Sequence, residues 1–257
     1  IMTKANPSLT GLNPLLRPTP GGLQYYAPII NENLYTNLWK GPYYGFRELI
    51  ETFELTDSPR RLRGLHLYYH FYSSTKQASI KAMHEIYGYM REQQPMSLWM
   101  TDYVDRLHGL YQASLARTAD GAWQIRGMDA LRTVRLDAQM GWPDLLQSQG
   151  IAGVRDLPQG RYVALSSDKA LLVLRADRDP RPALEEANLP LLDWRYLDDR
   201  RVSFSFAGQF DLSFSVRSAT ACRVEVDGQR FAGKASAGLW TFQLPMKQVS
   251  NAQLLCN

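Results

Sequence analysis

Apolar residues recur at helical spacing in the first part of the chain. This spacing predicts helices at 45–55, 77–93 and 101–116. Short apolar runs before and between them predict strands at 22–30, 63–73 and 95–100. Helices that alternate with strands imply parallel strands joined by helical crossovers. Residues 1–117 are therefore predicted to be α/β.

Beyond residue 117 the apolar positions alternate with polar ones in short runs separated by turn residues. Val202, Phe204 and Phe206 alternate with serines, and Asp227-Gly228 is a hairpin signal. Further strands are predicted at 123–126, 131–137, 161–166, 171–175, 212–216, 223–226, 239–244 and 252–256, with a helical turn at 142–149. This pattern predicts an all-β domain at 118–257, a jelly-roll-like antiparallel β-sandwich.

Composition narrows the class of protein. The chain has 257 residues, enough for one large domain or two smaller ones, and 29 Lys and Arg against 25 Asp and Glu. The basic residues are scattered, which argues against nucleic acid as the main partner. No apolar run reaches the length of a membrane span, and no signal peptide starts the chain. Because the first residue is Ile1 rather than Met, we expect a fragment of a longer polypeptide.

Two cysteines, Cys222 and Cys256, fall in predicted strands of the β-rich part. In an exported protein they would pair and close a loop, contributing about 3 kcal/mol. In a cytosolic protein they would be buried thiols, and the sequence leaves both readings open. Neither thiol has a close cysteine partner in sequence, which excludes a cysteine-based zinc site.

The predicted strand 63–73 concentrates the titratable side chains. Strand periodicity places Leu65, Leu67, Tyr69 and Phe71 on one face and His66, Tyr68, His70 and Tyr72 on the other. His66 and His70 would lie roughly 13 Å apart along a strand, too far to bind one metal ion. His70, near the carboxyl end, is the better catalytic candidate. The alternative for His70 is a core histidine bonded to tyrosine or backbone.

Asp102 follows the predicted strand 95–100 and would also lie at a strand's carboxyl end. If the two strands are neighbours, its carboxylate would orient the imidazole of His70. Asp102 also fits stabilisation of a helix start. Tyr35 and Trp39, in an aromatic and amide-rich loop, are candidates for stacking on a sugar ring or for covering the core.

Several separated motifs carry a family resemblance. They are Tyr68-Tyr69-His70-Phe71-Tyr72-Ser73, Asn33-Leu34-Tyr35-Thr36-Asn37, Gly41-Pro42 and the segment 53–62. Together they resemble the later part of the PelA family of periplasmic proteins, which modify the Pel exopolysaccharide. The likeness covers the whole chain and implies the C-terminal portion of a metal-dependent, NodB-like polysaccharide deacetylase barrel followed by a β-sandwich.

The resemblance also implies a mechanism. In such deacetylases one Asp and two His hold a metal that activates water, an Asp is the base, and a late His protonates the departing amine. His70 matches the late His; the orienting role of Asp102 comes from its predicted strand-end position and not from the resemblance. Tyr35, Trp39 and Tyr72 would line the sugar groove. Arg60 and Arg61 would order the neighbouring loop or pair with a catalytic carboxylate.

The early motifs of the family, an Asp-Asp strand end and a His-x-x-x-His pair, have no counterpart in this sequence. The divalent metal, expected to be zinc, would then have its ligands upstream of Ile1, and the isolated chain would be inactive. The implied partners are a polysaccharide substrate, the upstream part of the same protein and an outer-membrane export or scaffold protein such as PelB. The implied location is the periplasm.

Two other functions remain open from the residues. A non-catalytic carbohydrate-binding or assembly module would use the sandwich as its working part. A glycoside hydrolase would need two carboxylates about 5 to 10 Å apart across a groove.

Overall fold

The computed structural model describes residues 2–3, 15–27, 30–31, 47, 49–55 and 64–257. The chain divides into two compact units, Ile1–Pro95 and Met96–Asn257, and each is taken by itself. Within the described residues, no helix is both long enough and apolar enough to span a bilayer.

The first unit has two described α-helices, α1 (Leu49–Leu55) and α2 (Gln77–Glu92), which confirm two predicted helices. Their apolar faces form a common core because residues three and four apart lie on one side of a helix. The buried members of this core are Leu49, Phe53, Ala82, Met83 and Ile86. Glu51 and Glu54, on the outer side of α1, are exposed.

The strands described in the first unit are short. They are β1 (Met2–Thr3), β2 (Leu15–Thr19), β3 (Gly22–Ala27), β4 (Ile30–Asn31) and β5 (Leu67–Tyr68). β2 and β3 form an antiparallel hairpin, while β1 pairs with β3 and β4 with β5 in parallel. Pro18 lies in β2, an edge strand of the order β1-β3-β2, as a residue without an N–H requires. These short parallel pairs do not show a barrel, which stays a prediction.

The predicted strand 63–73 is wrong in extent. Among the described residues 64–73, only Leu67–Tyr68 is strand, and Phe71–Thr75 forms a 3-10 helix. The hydroxyl of Ser74 donates to the Phe71 carbonyl at 2.6 Å, and that of Thr75 donates to the Tyr72 carbonyl at 2.7 Å. Such local hydroxyl-to-backbone bonds compete with a strand ladder.

The second unit begins with helix α3 (Met100–Gln112), and the strand predicted at 95–100 is wrong. The backbone N–H of Trp99 donates to the carboxylate of Asp102 at 3.2 Å, which stabilises the helix start. A Cβ on Gly109 would lie 2.0 Å from the carbonyl oxygen of Met128, so α3 packs tightly on the loop that follows the next strands. The compact units divide at 95/96, so α3 lies in the second unit, and the domain boundary at 117/118 stays a prediction.

Small antiparallel sheets follow α3. Their strands are β6 (Ser114–Arg117), β7 (Trp123–Arg126), β8 (Thr133–Leu136), β9 (Trp142–Pro143), β10 (Ile151–Leu157), β11 (Gly160–Leu165), β12 (Ala170–Leu172) and β13 (Leu174–Arg175). They pair in the orders β12-β7-β6, β10-β11-β8 and β13-β9. The helical turn predicted at 142–149 is replaced by β9 and turns, because Trp142 and Pro143 pair with β13.

Two larger antiparallel sheets complete the second unit. Their strands are β14 (Ala183–Ala187), β15 (Leu191–Tyr196), β16 (Arg201–Ala207), β17 (Leu212–Arg217), β18 (Cys222–Val226), β19 (Gln229–Ala232), β20 (Lys234–Ser236), β21 (Leu239–Leu244) and β22 (Gln248–Cys256). One sheet has the order β14-β17-β21-β20 and the other β15-β16-β22-β18-β19. The all-β character predicted for this region is confirmed.

The two sheets share one aromatic core. Phe204 and Phe206 of β16 meet Phe214 of β17 with ring centroids 5.1 and 5.6 Å apart, and Phe214 stacks on Phe242 of β21 at 5.1 Å. All four side chains are at most 1% exposed. Contacts between rings of different sheets hold the sheets face to face, the arrangement of a sandwich.

The C-terminal strand is tied down covalently. β22 lies between β16 and β18, and Cys256 faces Cys222 across the β18–β22 ladder. Their sulfurs form a disulfide that closes a separation of 34 residues. Of the two readings of these cysteines, the structure selects the bridge. The Asp227-Gly228 hairpin turn between β18 and β19 is also confirmed, with φ of 48° and 76°.

The shared aromatic core predicts that two phenylalanines contribute very differently to the free energy of unfolding. Phe214→Ala should lower the free energy of unfolding by about 3 to 5 kcal/mol, because it leaves a cavity where the sheets meet. Phe210→Ala, at a side chain that is 57% exposed, should change it by less than about 0.5 kcal/mol. Urea unfolding of the chain, followed by a signal from the second unit, measures both free-energy changes. Equal losses would contradict the assignment of Phe214 to the core.

The disulfide predicts a redox-dependent stability. Replacing both Cys222 and Cys256 by Ala should cost about 3 to 4 kcal/mol, because the unfolded chain regains the entropy of an open loop. The measurement is urea unfolding with and without a thiol reductant. The reductant should destabilise the wild type and leave the double variant unchanged. If the reductant left the free energy of unfolding of the wild type unchanged, the disulfide would add no stability.

Candidate functional site

His70 lies directly before the 3-10 helix, just after the short parallel strand β5. Its backbone is extended, with φ −98° and ψ 154°, and its carbonyl accepts the N–H of Ser73 at 2.9 Å. The imidazole stacks on the ring of Tyr72 at 4.7 Å with an interplanar angle of 11°. The turn therefore keeps the rings of His70 and Tyr72 in contact. The predicted strand would have aligned them, but the observed strand ends at Tyr68.

Exposed aromatic side chains surround this turn. Phe71 is 93% exposed, and Tyr72 is 42% exposed. Burial and a hydrogen bond to the phenol of Tyr69 raise the pKa of Tyr87, so these two phenols also lie together. Exposed rings next to a partly buried imidazole are suited to stacking on a sugar ring. We define the His70 site as His70, Phe71 and Tyr72.

Asp102 does not follow a strand, so the argument that placed it beside His70 through two neighbouring strands loses its basis. Its carboxylate accepts the N–H of Trp99, the helix-start role that the sequence also allowed. His70 belongs to the first compact unit and Asp102 to the second. Orientation of His70 by Asp102 therefore stays a prediction. The predicted sugar-groove residues Tyr35 and Trp39, and Arg60 with Arg61, lie outside the described residues.

His66 is distinct from the His70 site. Its ring folds back over Gly64, where a Cβ would lie 1.9 Å from His66 Nε2. Since the strand covers only Leu67–Tyr68, the predicted shared strand face of His66 and His70 is wrong. Burial lowers the pKa of His66 from its ordinary value of 6.5. A neutral, packed imidazole is a structural group.

The described residues do not offer a metal centre. In that part of the chain, no three His, Cys, Asp or Glu side chains lie close enough together to hold a metal ion. His84 is exposed on α2, and His108 is half-buried on α3. The residues described here therefore do not fit the metal that the family resemblance implies.

A polar concavity on the five-stranded sheet was missed by the sequence analysis. It has a volume of about 540 Å³ and lies beside the β18–β19 hairpin and the end of β22. The side chains that line it include Glu225, Asp227, Arg230, Asn251 and Gln253. The sequence predicted the Asp227-Gly228 hairpin turn. The other residues of the concavity come from β22, which is distant from this turn in the sequence. Only the pairing of β18 with β22 brings them together.

The lowered pKa of His66 predicts a loss of stability in acid. The unfolded chain takes up a proton near pH 6.5, whereas the folded chain does so at lower pH, so folding stability is present above pH 6.5 and declines as pH falls through the folded pKa. His66→Gln should flatten this decline. Amide NMR signals of residues 77–92, followed in urea between pH 8 and 5, measure it. His84→Gln, at an exposed position, is the control and should keep the wild-type slope. An unchanged slope in His66→Gln would contradict the assignment.

Comparisons of the chain with protein-family models, with curated proteins and with solved structures gave no match.

Proposed function

We propose that this chain takes part in the metal-dependent de-N-acetylation of an N-acetylhexosamine exopolysaccharide of the Pel type, with His70 as the general acid. The observation that carries the proposal is the His70 site, an imidazole stacked on Tyr72 beside the exposed ring of Phe71. An imidazole is the side chain best suited to donate a proton near neutral pH. Exposed rings next to it suit a sugar polymer as the substrate.

The chemistry assigned to this chain is one proton transfer. When water adds to the acetamido carbon and the C–N bond breaks, the electron pair of that bond stays on nitrogen. Nitrogen leaves as an amine only if it gains a proton, which the imidazolium of His70 donates. The stacking on Tyr72 restricts the orientation of the imidazole and so aims the donor at one position.

The proposed reaction requires a divalent metal, and zinc is the expected ion. From the family resemblance, the ligands and the base are proposed to lie in the upstream part of the same protein. No step at the metal is assigned to this chain. We also propose that residues 1–117 are the C-terminal portion of a (β/α) deacetylase-type barrel.

The disulfide of the second unit supports the proposal that the protein is exported. The Cys222–Cys256 disulfide is buried and joins two strands, and structural disulfides persist in oxidising compartments. A periplasmic location is proposed on this ground and on the family resemblance. Docking to an outer-membrane partner such as PelB is proposed on the resemblance alone. In the sandwich, β16 pairs with β22 while β17 pairs with β21. Such nested pairing supports the finer description as jelly-roll-like.

A carbohydrate-binding or assembly module is the second candidate function. It is favoured by the two-sheet sandwich, which has a core of its own. The variant His70→Ala separates the two candidates. A deacetylase with this change loses turnover, whereas a binding module keeps its affinity for the polymer.

The proposed role of His70 predicts a loss of catalysis. In the protein that contains this chain with its upstream part, His70→Ala should lower acetate release from an acetylated hexosamine oligomer by about 10²- to 10⁴-fold, because the leaving amine is no longer protonated. His84→Ala, at an exposed histidine, should retain wild-type turnover. The assay measures acetate with added zinc, and exhaustive metal removal should abolish it. Full turnover of His70→Ala would refute the acid assignment, and turnover without metal would refute the deacetylase function.

A further inference from the structure

The polar concavity beside the β18–β19 hairpin is a second place where this chain presents recognition groups. Its floor is the β18–β22 ladder, in which Glu225 lies opposite Gln253. The Asp227-Gly228 turn, Ser250 and Asn251 also line the concavity. At about 540 Å³ the concavity has the volume of small-ligand sites. It belongs to the second unit, whereas the His70 site belongs to the first.

The carboxylate of Glu225 is held in place. The guanidinium group of Arg223 donates to Oε1 of Glu225 at 3.2 Å, and that of Arg230 forms a salt bridge with the same oxygen at 3.0 Å. Arg230 lies on the neighbouring strand, opposite Glu225. Two guanidinium groups on one oxygen restrict the position of the carboxylate.

Asn251 lies at a bulge in the β16–β22 ladder. The β16–β22 register shifts between Phe204 and Phe206, and Asn251 there has φ 52°, in the left-handed region. Its backbone N–H donates to the hydroxyl of Ser205 at 3.0 Å, which anchors the bulge. Bulges re-aim side chains and are over-represented beside functional sites.

The side-chain amides of Asn251 and Gln253 are exposed, and neither makes a hydrogen bond to another described residue. Each amide offers two N–H donors and a carbonyl acceptor. The concavity therefore presents donors and acceptors side by side, and the charges of Glu225 and Asp227 are offset by those of Arg223 and Arg230. Balanced charge gives little preference for a strongly anionic or cationic ligand. Adjacent donors and acceptors match vicinal hydroxyl groups, each of which both donates and accepts.

We propose that this concavity is a non-catalytic binding site for an uncharged saccharide unit, with Asn251, Gln253 and Glu225 as its hydrogen-bonding groups. Such a site would hold a polysaccharide on the sandwich independently of the His70 site. The proposal does not rest on the deacetylase function, because it needs neither His70 nor a metal.

The test is titration of the full 257-residue chain with uncharged pentasaccharides of glucose, N-acetylglucosamine and N-acetylgalactosamine, followed by ¹⁵N NMR. At least one pentasaccharide should bind and shift the side-chain amide signals of Asn251 and Gln253. The double variant Asn251→Gly, Gln253→Ala should weaken that binding at least tenfold. Glycine is chosen at position 251 because it adopts the left-handed φ without strain.

Gln243→Ala is the matched control, since Gln243 is an exposed strand glutamine on the other sheet. It should bind as the wild type does, and so should His70→Ala. An intact disulfide and a wild-type urea midpoint verify that the double variant folds. The proposal is overturned if none of the three pentasaccharides binds at millimolar concentration. It is also overturned if the double variant binds normally, or if the cationic pentamer of glucosamine binds more tightly than all three.

Discussion

The contact of phenylalanine rings between the two larger sheets is the interaction on which the second unit depends. Phe214 touches Phe204 and Phe206 across the sandwich and Phe242 within its own sheet, so one ring joins strands from both layers. Burial of these rings removes a large apolar area from water, which is the main driving force for bringing two sheets together. The outward positions of the same strands are then free to carry polar groups, because strand residues alternate between faces.

That alternation links the core to the polar concavity. Val224, Val226, Ala252 and Leu254 point into the core, while Glu225 and Gln253 between them point outward. The disulfide between Cys222 and Cys256 ties β18 to β22 at the end of this ladder. The register that seals the sandwich is thus the same register that sets Glu225 opposite Gln253. A slip of one residue would turn the recognition groups into the core.

In the first unit, local hydrogen bonds decide the geometry around His70. Serine and threonine hydroxyls bond to the carbonyls of Phe71 and Tyr72 and replace the expected strand by a 3-10 helix. The consequence is a turn that exposes Phe71 and stacks His70 on Tyr72. His66, by contrast, is packed against Gly64 and is not part of the His70 site.

The sequence by itself determined the elements whose signals are local. Helical spacing predicted α1 and α2, alternation with serines predicted β16 and β17, and Asp227-Gly228 predicted the hairpin turn, because periodicity and turn chemistry act within a few residues. The tertiary structure alone decided what depends on distant partners. It selected the disulfide between Cys222 and Cys256, placed α3 with the β-rich unit through Gly109, and gathered Glu225, Asn251 and Gln253 around one concavity. Strand pairing between residues far apart in the chain is set by the packing of the whole core, which no local pattern encodes.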